Sequence, residues 1–339
     1  MLRFLTICGV LLVLAFAPPA QAAGPSLWLS PAEIAALPMS GAAWSRVRAA
    51  ADGSLGSPKI SDQDSKHDVL TLAAALVYAR TGNSAYRAKA ANAILAAIGT
   101  EAGGRTLALG RNLVSYVIAA DLIQLRTYNP AADQRFRAWL SAVRRESLDG
   151  QTLISTHERR PNNWGTHAGA SRVAADLYLG DAVDLARAAT VFRGWLGERA
   201  VYAGFSYGDL SWQCNASAPV GINPPCAKAG HPVGGVLPDD QRRGGSFNWP
   251  PPCENYTWEA RQGALVEAQL LSRAGYPAWG WSNRALLRSV QWSYGNGCPA
   301  LGDDTALPYL VNKAYGVAYP VQAANIAKNI GWTDWTHAR

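Results

Sequence analysis

The sequence predicts an all-α protein, folded as a toroid of helical hairpins. Segments of about a dozen residues with helical character alternate with short Gly, Asn and Pro breaks, which is typical of packed antiparallel helices. Several segments are apolar on most faces and rich in Ala, which indicates an inner ring of helices covered by an outer one. Hydrophobic residues make up 49% of the 339 residues and charged residues 16%, so the chain can bury a large core.

End signals define each predicted helix in turn. The first ends at Gly82, because glycine suits the left-handed C-terminal cap, and Ser84 can cap the second. The third stops before Asn129-Pro130, since proline cannot continue a helix. The predicted helices span residues 68–80, 85–98, 113–125, 133–147, 168–179, 182–196, 256–274 and 282–294.

The first 23 residues have the pattern of a secretory signal peptide. Arg3 supplies a positive charge, residues 5–17 are apolar, and Ala20-Gln21-Ala22 fits a cleavage site. The apolar run is too short to span a bilayer. We therefore expect a secreted or periplasmic protein, cleaved near Ala22 and free of the membrane in its mature form. Residues 24–339 are enough for one large domain or two small ones, and we expect a single toroidal domain.

The charge balance suits a polyanionic partner. Loss of Arg3 with the signal peptide leaves 30 basic and 24 acidic residues, a net charge of +6. A mildly basic exported protein attracts polyanions, although an ordinary surface carries the same balance. No basic run forms a nucleic-acid footprint, so nucleic acid is not an expected partner.

A long excursion without helical pattern covers residues 201–255 and holds three of the four cysteines of the mature chain. An even cysteine count after export favours disulfides, with three possible pairings. Proximity favours Cys214–Cys226, which leaves Cys253–Cys298. No Cys-x-x-Cys spacing is present, so we expect no zinc site, and we expect no other metal or cofactor.

Aromatic side chains in this excursion, among them Trp212 and Trp249, are candidate stacking platforms for sugar rings. The alternative is an excursion that packs on itself. Residues 51–66 form a second polar segment, either a lid or a plain surface loop. Lys66 and His67 adjoin it and are candidate substrate contacts, or alternatively a helix start.

The segment of residues 161–170 concentrates unusual chemistry at a predicted helix start. Asn163 and His167 are four residues apart, so on a helix they share one face. Asn162 and Trp164 flank Asn163 and are candidate substrate-binding residues. The alternative is a helix cap followed by a buried core histidine.

A second group lies near the end of the excursion, where Arg242-Arg243 precedes Tyr256 at another predicted helix start. Together with Asn163 and His167, these residues form the set that β-elimination from a uronic acid needs. An amide and a guanidinium stabilise the charge that builds on the carboxylate when the C5 proton leaves. A Tyr or His takes that proton, and a Tyr hydroxyl can protonate the leaving oxygen.

The pattern from Asn162 to His167, followed about ninety residues later by Glu254-Asn255-Tyr256, resembles the alginate-lyase superfamily of polysaccharide lyases. The resemblance implies an incomplete (α/α) toroid and a metal-free lyase acting on an acidic polysaccharide of alginate or glucuronan type. It implies catalytic roles for Asn163, His167, Tyr256 and Arg243, with Arg242 as a substrate contact. In this chain His167 comes one helical turn after Asn163, whereas the family's histidine follows its asparagine directly.

Two other classes of function compete with this one. An (α/α) toroid glycoside hydrolase needs two carboxylates across a cleft, for which Glu158, Asp209 and Glu254 are the candidates. A non-catalytic protein that binds polyanionic sugars would use the aromatic residues and the basic balance equally well. Asp239-Asp240 and Asp303-Asp304 adjoin chain breaks and are interpreted as turn and cap residues.

Overall fold

A computed structural model describes residues 27–324 and 328–338. The predicted signal peptide, residues 1–23, lies outside the described residues. Within them no helix combines the length and the apolar character that crossing a membrane requires.

The described residues are mostly helical, with one short antiparallel hairpin, and this confirms the all-α fold class. The hairpin consists of β1 (Ala227–Lys228) and β2 (His231–Pro232). The helices are α1 (Pro31–Ala36), α2 (Ala42–Asp52), α3 (His67–Thr81), α4 (Ser84–Ala97), α5 (Thr106–Leu122), α6 (Leu125–Tyr128), α7 (Pro130–Val143), α8 (Leu153–Arg159), α9 (Asn163–Leu179), α10 (Ala182–Trp195), α11 (Pro238–Gln241), α12 (Asn255–Arg273), α13 (Trp281–Gly295), α14 (Leu307–Tyr315) and α15 (Thr333–Thr336).

The predicted helix ends agree with the structure better than the predicted starts. Gly82 and Gly180 both adopt left-handed conformations, with φ of 71° and 73°, and close α3 and α9. Helix α9 begins at Asn163 rather than residue 168, because the Asn162 side chain accepts a hydrogen bond from the Trp164 N–H at 3.2 Å. Helix α5 begins seven residues earlier than residue 113, at Thr106.

Four long helices pack side by side in the order α3, α5, α9 and α12, and form the inner layer. The shorter helices α2, α4, α8 and α10 pack against this layer from other sides. The inner helices α5 and α9 are buried around nearly their whole circumference, as their sequences predicted. This arrangement is the toroid-like fold that the Ala-rich apolar segments indicated.

Glycines let the inner helices approach to backbone contact. A Cβ atom at Gly263 of α12 would lie 2.3 Å from the carbonyl carbon of Thr166 and 2.4 Å from the His167 nitrogen. On the opposite side, a Cβ atom at Gly110 of α5 would lie 2.9 Å from the Ala168 nitrogen. The turn of α9 that carries His167 is therefore held between two glycines.

The excursion between α10 and α12 is an ordered unit with its own small core. Both disulfides favoured by proximity form, Cys214–Cys226 and Cys253–Cys298, and this confirms that pairing. The expectation that Trp212 is a sugar platform is wrong. Its ring is fully buried, and its Nε1 donates to the Gly245 carbonyl at 2.8 Å.

Candidate active site

Two aspartates of the excursion hold the start of α9. The Asp240 carboxylate accepts a hydrogen bond from the Asn163 backbone N–H at 3.0 Å, and the Asp239 carboxylate accepts from Asn162 Nδ2 at 3.0 Å. Burial raises the pKa of Asp240 well above its ordinary value. Their interpretation as turn and cap residues was therefore incomplete, because these buried side chains fasten the excursion to the helix start.

The Asn163 side chain connects three helices. Its Nδ2 donates to Glu259 Oε2 of α12 at 3.0 Å, and the same carboxylate oxygen is ion-paired with Arg111 of α5. Asn255 Nδ2 donates to the other oxygen of Glu259 at 3.3 Å. Asn163 and Arg111 are buried, whereas the Glu259 side chain keeps 15% exposure. A carboxylate thus lies between an amide and a guanidinium at the meeting point of α5, α9 and α12.

Tyr256 lies in the first turn of α12, three residues before Glu259, so both side chains share one face of that helix. The Arg243 guanidinium lies 3.9 Å from the centre of the Tyr256 ring, a cation–π contact. Arg243 is exposed. Arg242 instead binds Asp239, with a distance of 2.8 Å from Nε to Oδ1. Of the two arginines, Arg243 is the one that accompanies the tyrosine.

His167 lies one turn deeper than Asn163 and is fully buried. Its Nδ1 is 3.0 Å from Nδ2 of Asn329, and its Nε2 has no partner among the described residues. Burial lowers the pKa of His167 well below its ordinary value, and the Arg111 charge lowers it further. His167 is therefore a neutral ring behind Asn163, with Nδ1 accepting from the Asn329 amide.

Trp164 follows Asn163 and is half-buried. Two guanidinium carbons lie near its ring centre, that of Arg105 at 5.4 Å and that of Arg160 at 5.3 Å. Arg105 also donates to the Gln63 side chain at 3.0 Å. Two arginine side chains thus lie against the Trp164 ring beside the start of α9.

The other predicted substrate contacts lie in different surroundings. His67 is buried, and its Nδ1 is 2.7 Å from the Tyr116 hydroxyl, whereas Lys66 is exposed just before α3. Burial lowers the pKa of His67, so this ring is also neutral. Trp249 is half-buried and stacks on His231, with ring centres 4.5 Å apart. Among the described residues, no hydrogen bond, ion pair or ring contact joins these three side chains to Asn163 or Tyr256.

The segment considered as a lid is fastened to the body. The Asn112 side chain of α5 donates to the backbone carbonyls of Ile60 and Asp62, at 3.1 and 2.8 Å. Lys328 pairs with Asp64 at 2.8 Å. These contacts make the second half of this segment a fixed wall beside α5.

A cleft of about 250 Å³ opens beside Glu259. Gln262 contributes a buried amide whose Nε2 donates to Asp304 at 2.7 Å, while its Oε1 has no partner among the described residues. Burial raises the pKa of Asp304 from 3.8 to about 7, and the Glu259 charge adds to this rise. The cleft is lined by Asn255, Glu259, Gln262, Leu301, Gly302, Asp303, Asp304 and Lys328.

Carboxylates close enough to share a cation lie elsewhere in the described part of the chain, at Asp176, Asp181 and Asp184. Arg144 pairs with all three of them, and Arg172 pairs with Asp184. Guanidinium groups therefore already neutralise this acidic group.

Comparison with known families adds an independent finding. Residues 61–200 match the family described as "Alginate lyase", from the segment before α3 to the end of α10. The match confirms the resemblance to the alginate-lyase superfamily over these residues and supports a polysaccharide lyase. It includes Asn162, Asn163 and His167, whereas Arg243 and Tyr256 lie beyond its end. No curated protein matches the chain.

Sequence reasoning missed Arg111, Glu259 and Asn329: Glu259 binds Asn163, Asn329 binds His167, and Arg111 pairs with Glu259. One signal was available for Glu259, since it follows Tyr256 by three residues on a predicted helix. Arg111 and Asn329 come from distant segments, so no local pattern connects them with the start of α9.

Proposed function

We propose that this protein is an exported lyase that cleaves an acidic polyuronate, of alginate or glucuronan type, by β-elimination. The observation that carries the proposal is the meeting of two helix starts. The hydrogen bond from Asn163 to Glu259 joins the first residue of α9 to the turn of α12 that follows Tyr256. The family match over residues 61–200 supports the same chemistry.

In this proposal Tyr256 transfers the proton. In its deprotonated form the Tyr256 oxygen takes the C5 hydrogen as a proton, a double bond forms between C4 and C5, and the C4–O bond breaks. The leaving oxygen then receives a proton from the tyrosine hydroxyl. Arg243, exposed beside the ring, neutralises the substrate carboxylate as negative charge builds on it.

Asn163 and His167 have supporting roles in this conformation. The amide of Asn163 is buried and donates to Glu259, so in this conformation it positions that carboxylate rather than contacting the substrate. His167 is a positioning residue, because its neutral buried ring supports the turn that carries Asn163. We propose Asn162 and Trp164 as substrate-binding residues beside them.

We propose that the reaction needs no metal ion, since Arg243 supplies the positive charge that a cation otherwise provides. Arg111 already neutralises Glu259, so the anion next to Asn163 does not repel an incoming uronate as a free carboxylate would. Activity should survive exhaustive chelation. Complete loss of activity that calcium restores would contradict this part of the proposal.

A glycoside hydrolase is the second candidate, and one observation favours it. Asp304, with its pKa raised to about 7, and Glu259 line the same cleft, and a protonated acid with an ionised carboxylate is the pair that hydrolysis uses. The carboxylates expected for this role are engaged elsewhere. Glu254 caps α12 through Tyr256 N–H at 3.1 Å, and Glu158 pairs with Arg187 at 3.0 Å.

The experiment that separates the two uses the mature protein with alginate, glucuronan, hyaluronan and pectate. A lyase produces unsaturated ends, so ultraviolet absorbance rises in step with new reducing ends. A hydrolase produces reducing ends without that absorbance. No absorbance with any polymer across a broad pH range would overturn the lyase proposal. Reducing ends alone, lost in Asp304→Asn and Glu259→Gln, would establish the hydrolase.

A further inference from the structure

The basic group around Trp164 is assembled from three separate elements. Trp164 lies in the first turn of α9, Arg105 immediately precedes α5, and Arg160 immediately follows α8. Both guanidinium carbons lie within 5.4 Å of the same indole centre. Two cations are thus held against one half-buried aromatic ring, next to Asn163.

The charges of this group are not compensated within the described residues. Neither Arg105 nor Arg160 forms an ion pair with a carboxylate there, and the polar contact of Arg105 is with the neutral side chain of Gln63. Arg111, Arg144 and Arg172, by contrast, are all ion-paired with carboxylates. Both guanidinium groups are exposed, so each keeps N–H donors available to a ligand while it contacts the ring.

A bound carboxylate would supply the counter-charge that these two guanidinium groups lack among the described residues. Guanidinium groups bind carboxylates through paired N–H donors, and the exposed part of an indole accepts the C–H face of a sugar ring. A uronate unit presents both features side by side. The cleft beside Glu259 is different, because its lining includes Asp303 and Asp304 and no arginine.

We propose that Arg105, Trp164 and Arg160 form a uronate-binding subsite for the sugar unit next to the one that loses its proton. This inference rests on the proposed lyase function and narrows its substrate class. The polymer must carry a carboxylate on a neighbouring unit as well as on the cleaved one. Runs of uronates meet this requirement, and strict alternation of a uronate with a neutral sugar does not.

The test compares charge-removing variants with a matched control. Arg105→Gln and Arg160→Gln each remove one guanidinium from the indole, and Arg159→Gln removes the same charge from the exposed neighbour of Arg160. Binding of a mannuronate and a glucuronate tetrasaccharide is measured by calorimetry, without turnover as the readout. Cleavage of the preferred polymer from the substrate panel is measured in parallel.

Each of the two variants should raise Kd and KM about tenfold, which is the size of one charge-assisted contact, and leave kcat nearly unchanged. The double variant should lose much of the salt dependence of binding, while Arg159→Gln stays within about twofold of the parent. A double variant that binds and cleaves like the Arg159→Gln control would overturn the subsite.

The outcomes for the subsite and for the lyase function can be told apart. If binding depends on Arg105 and Arg160 but no unsaturated product forms, the subsite proposal stands and the lyase proposal fails. If the double variant cleaves the polymer with an unchanged KM, the lyase proposal stands and the subsite proposal fails. Equal kcat/KM on a strictly alternating polymer and on a uronate homopolymer would also contradict the proposal.

Discussion

Several buried polar atoms around Asn163 have no partner among the described residues. They include Oδ1 of Asn163, Nε2 of His167, Oδ2 of Asp240 and Oε1 of Gln262. A buried polar atom without a hydrogen bond costs about 1–3 kcal/mol, so such atoms are rare in native proteins unless water or a ligand completes them. Their grouping around one helix start indicates a preorganised polar site rather than an ordinary helix packing surface.

Tyr256→Phe tests the proposed proton transfer directly. The substitution keeps the ring and its contact with Arg243 but removes the hydroxyl, so kcat should fall by about 10²–10⁴-fold while substrate binding persists. Tyr128→Phe is a matched control, because Arg87 lies 4.4 Å from that ring centre on a different helix. The control should keep full activity. Equal kcat in the two variants would exclude Tyr256 as the proton-transfer group.

His337 gives a prediction about acid stability. Burial lowers the pKa of His337 from 6.5 to about 3, and the Lys313 charge adds to this effect. Between pH 6.5 and 3 the unfolded chain binds a proton that the folded protein excludes, so folding loses about 1.4 kcal/mol per pH unit as the pH falls. His337→Phe keeps an aromatic ring beside Trp28 and removes this term.

The free energy of unfolding of both proteins should be measured at pH 8, 7, 6 and 5. The difference between wild type and His337→Phe should be constant from pH 8 to 7. It should then shift by about 2 kcal/mol in favour of the variant by pH 5. Parallel profiles throughout would mean that His337 becomes hydrated and protonated in the folded state.

At the scale of secondary-structure elements, α9 organises the inner layer. It has α5 on one side and α12 on the other, and the two glycine contacts set how closely both approach. The same approach brings Arg111 of α5 and Glu259 of α12 to Asn163. The close spacing of these helices therefore also determines the geometry of the candidate site.

Gly263→Ala should disrupt this crossing. The added methyl group would overlap backbone atoms of Thr166 and His167 at about 2.3–2.4 Å, and backbone cannot move aside as a side chain can. We expect a loss of about 3 kcal/mol in unfolding free energy, at the upper end for an overpacked core. Gly295→Ala is the control, because no atom lies within 4 Å of its added Cβ. Similar melting temperatures for the two variants would contradict this account of the crossing.

The two disulfides predict different consequences for the site. The Cys253–Cys298 bridge spans 45 residues and holds the segment just before Tyr256, whereas the Cys214–Cys226 bridge spans 12 residues within the excursion. Replacing both cysteines of a pair by serine should cost about 4 kcal/mol for the first and about 3 kcal/mol for the second. Activity should fall more in the Cys253/Cys298 variant. Denaturant unfolding measures the loss of stability, and initial rates measure the loss of activity. Equal activity in both variants would show that the Cys253–Cys298 bridge does not support the site.

At the scale of the whole molecule, the sequence indicates features that depend on local chemistry. Gly82 and Gly180 end helices through their own backbone freedom, and the cysteine pairing follows from proximity. The start of α5 was missed because Gly110 and Arg111 interrupt the apolar pattern there. Their partners, Ala168 and Glu259, are distant in sequence, so the reason for these residues exists only in the folded protein.

The candidate site likewise has a part that local sequence could predict and a part that depends on the folded structure. The helix that carries Tyr256 and a helix boundary at Asn162-Asn163 could be predicted from capping and periodicity, although the predicted helix span began only at residue 168. The burial of His167 agrees with the alternative of a helix cap and a buried core histidine, whereas the burial of Asn163 depends on how closely α5 and α12 approach α9. Trp212 is a further case, since only its contact with Gly245 distinguishes a core residue from an exposed platform.

The two ends of the described chain clasp each other. The rings of Trp28 and His337 lie 4.9 Å apart, and Trp335 Nε1 donates to the Pro38 carbonyl at 2.9 Å. The same packing of helices could therefore form in a chain that connects them in a different order. A circularly permuted chain, with residue 338 linked to residue 27 and new ends at the exposed turn near Ala216, would keep every helix contact of the inner layer.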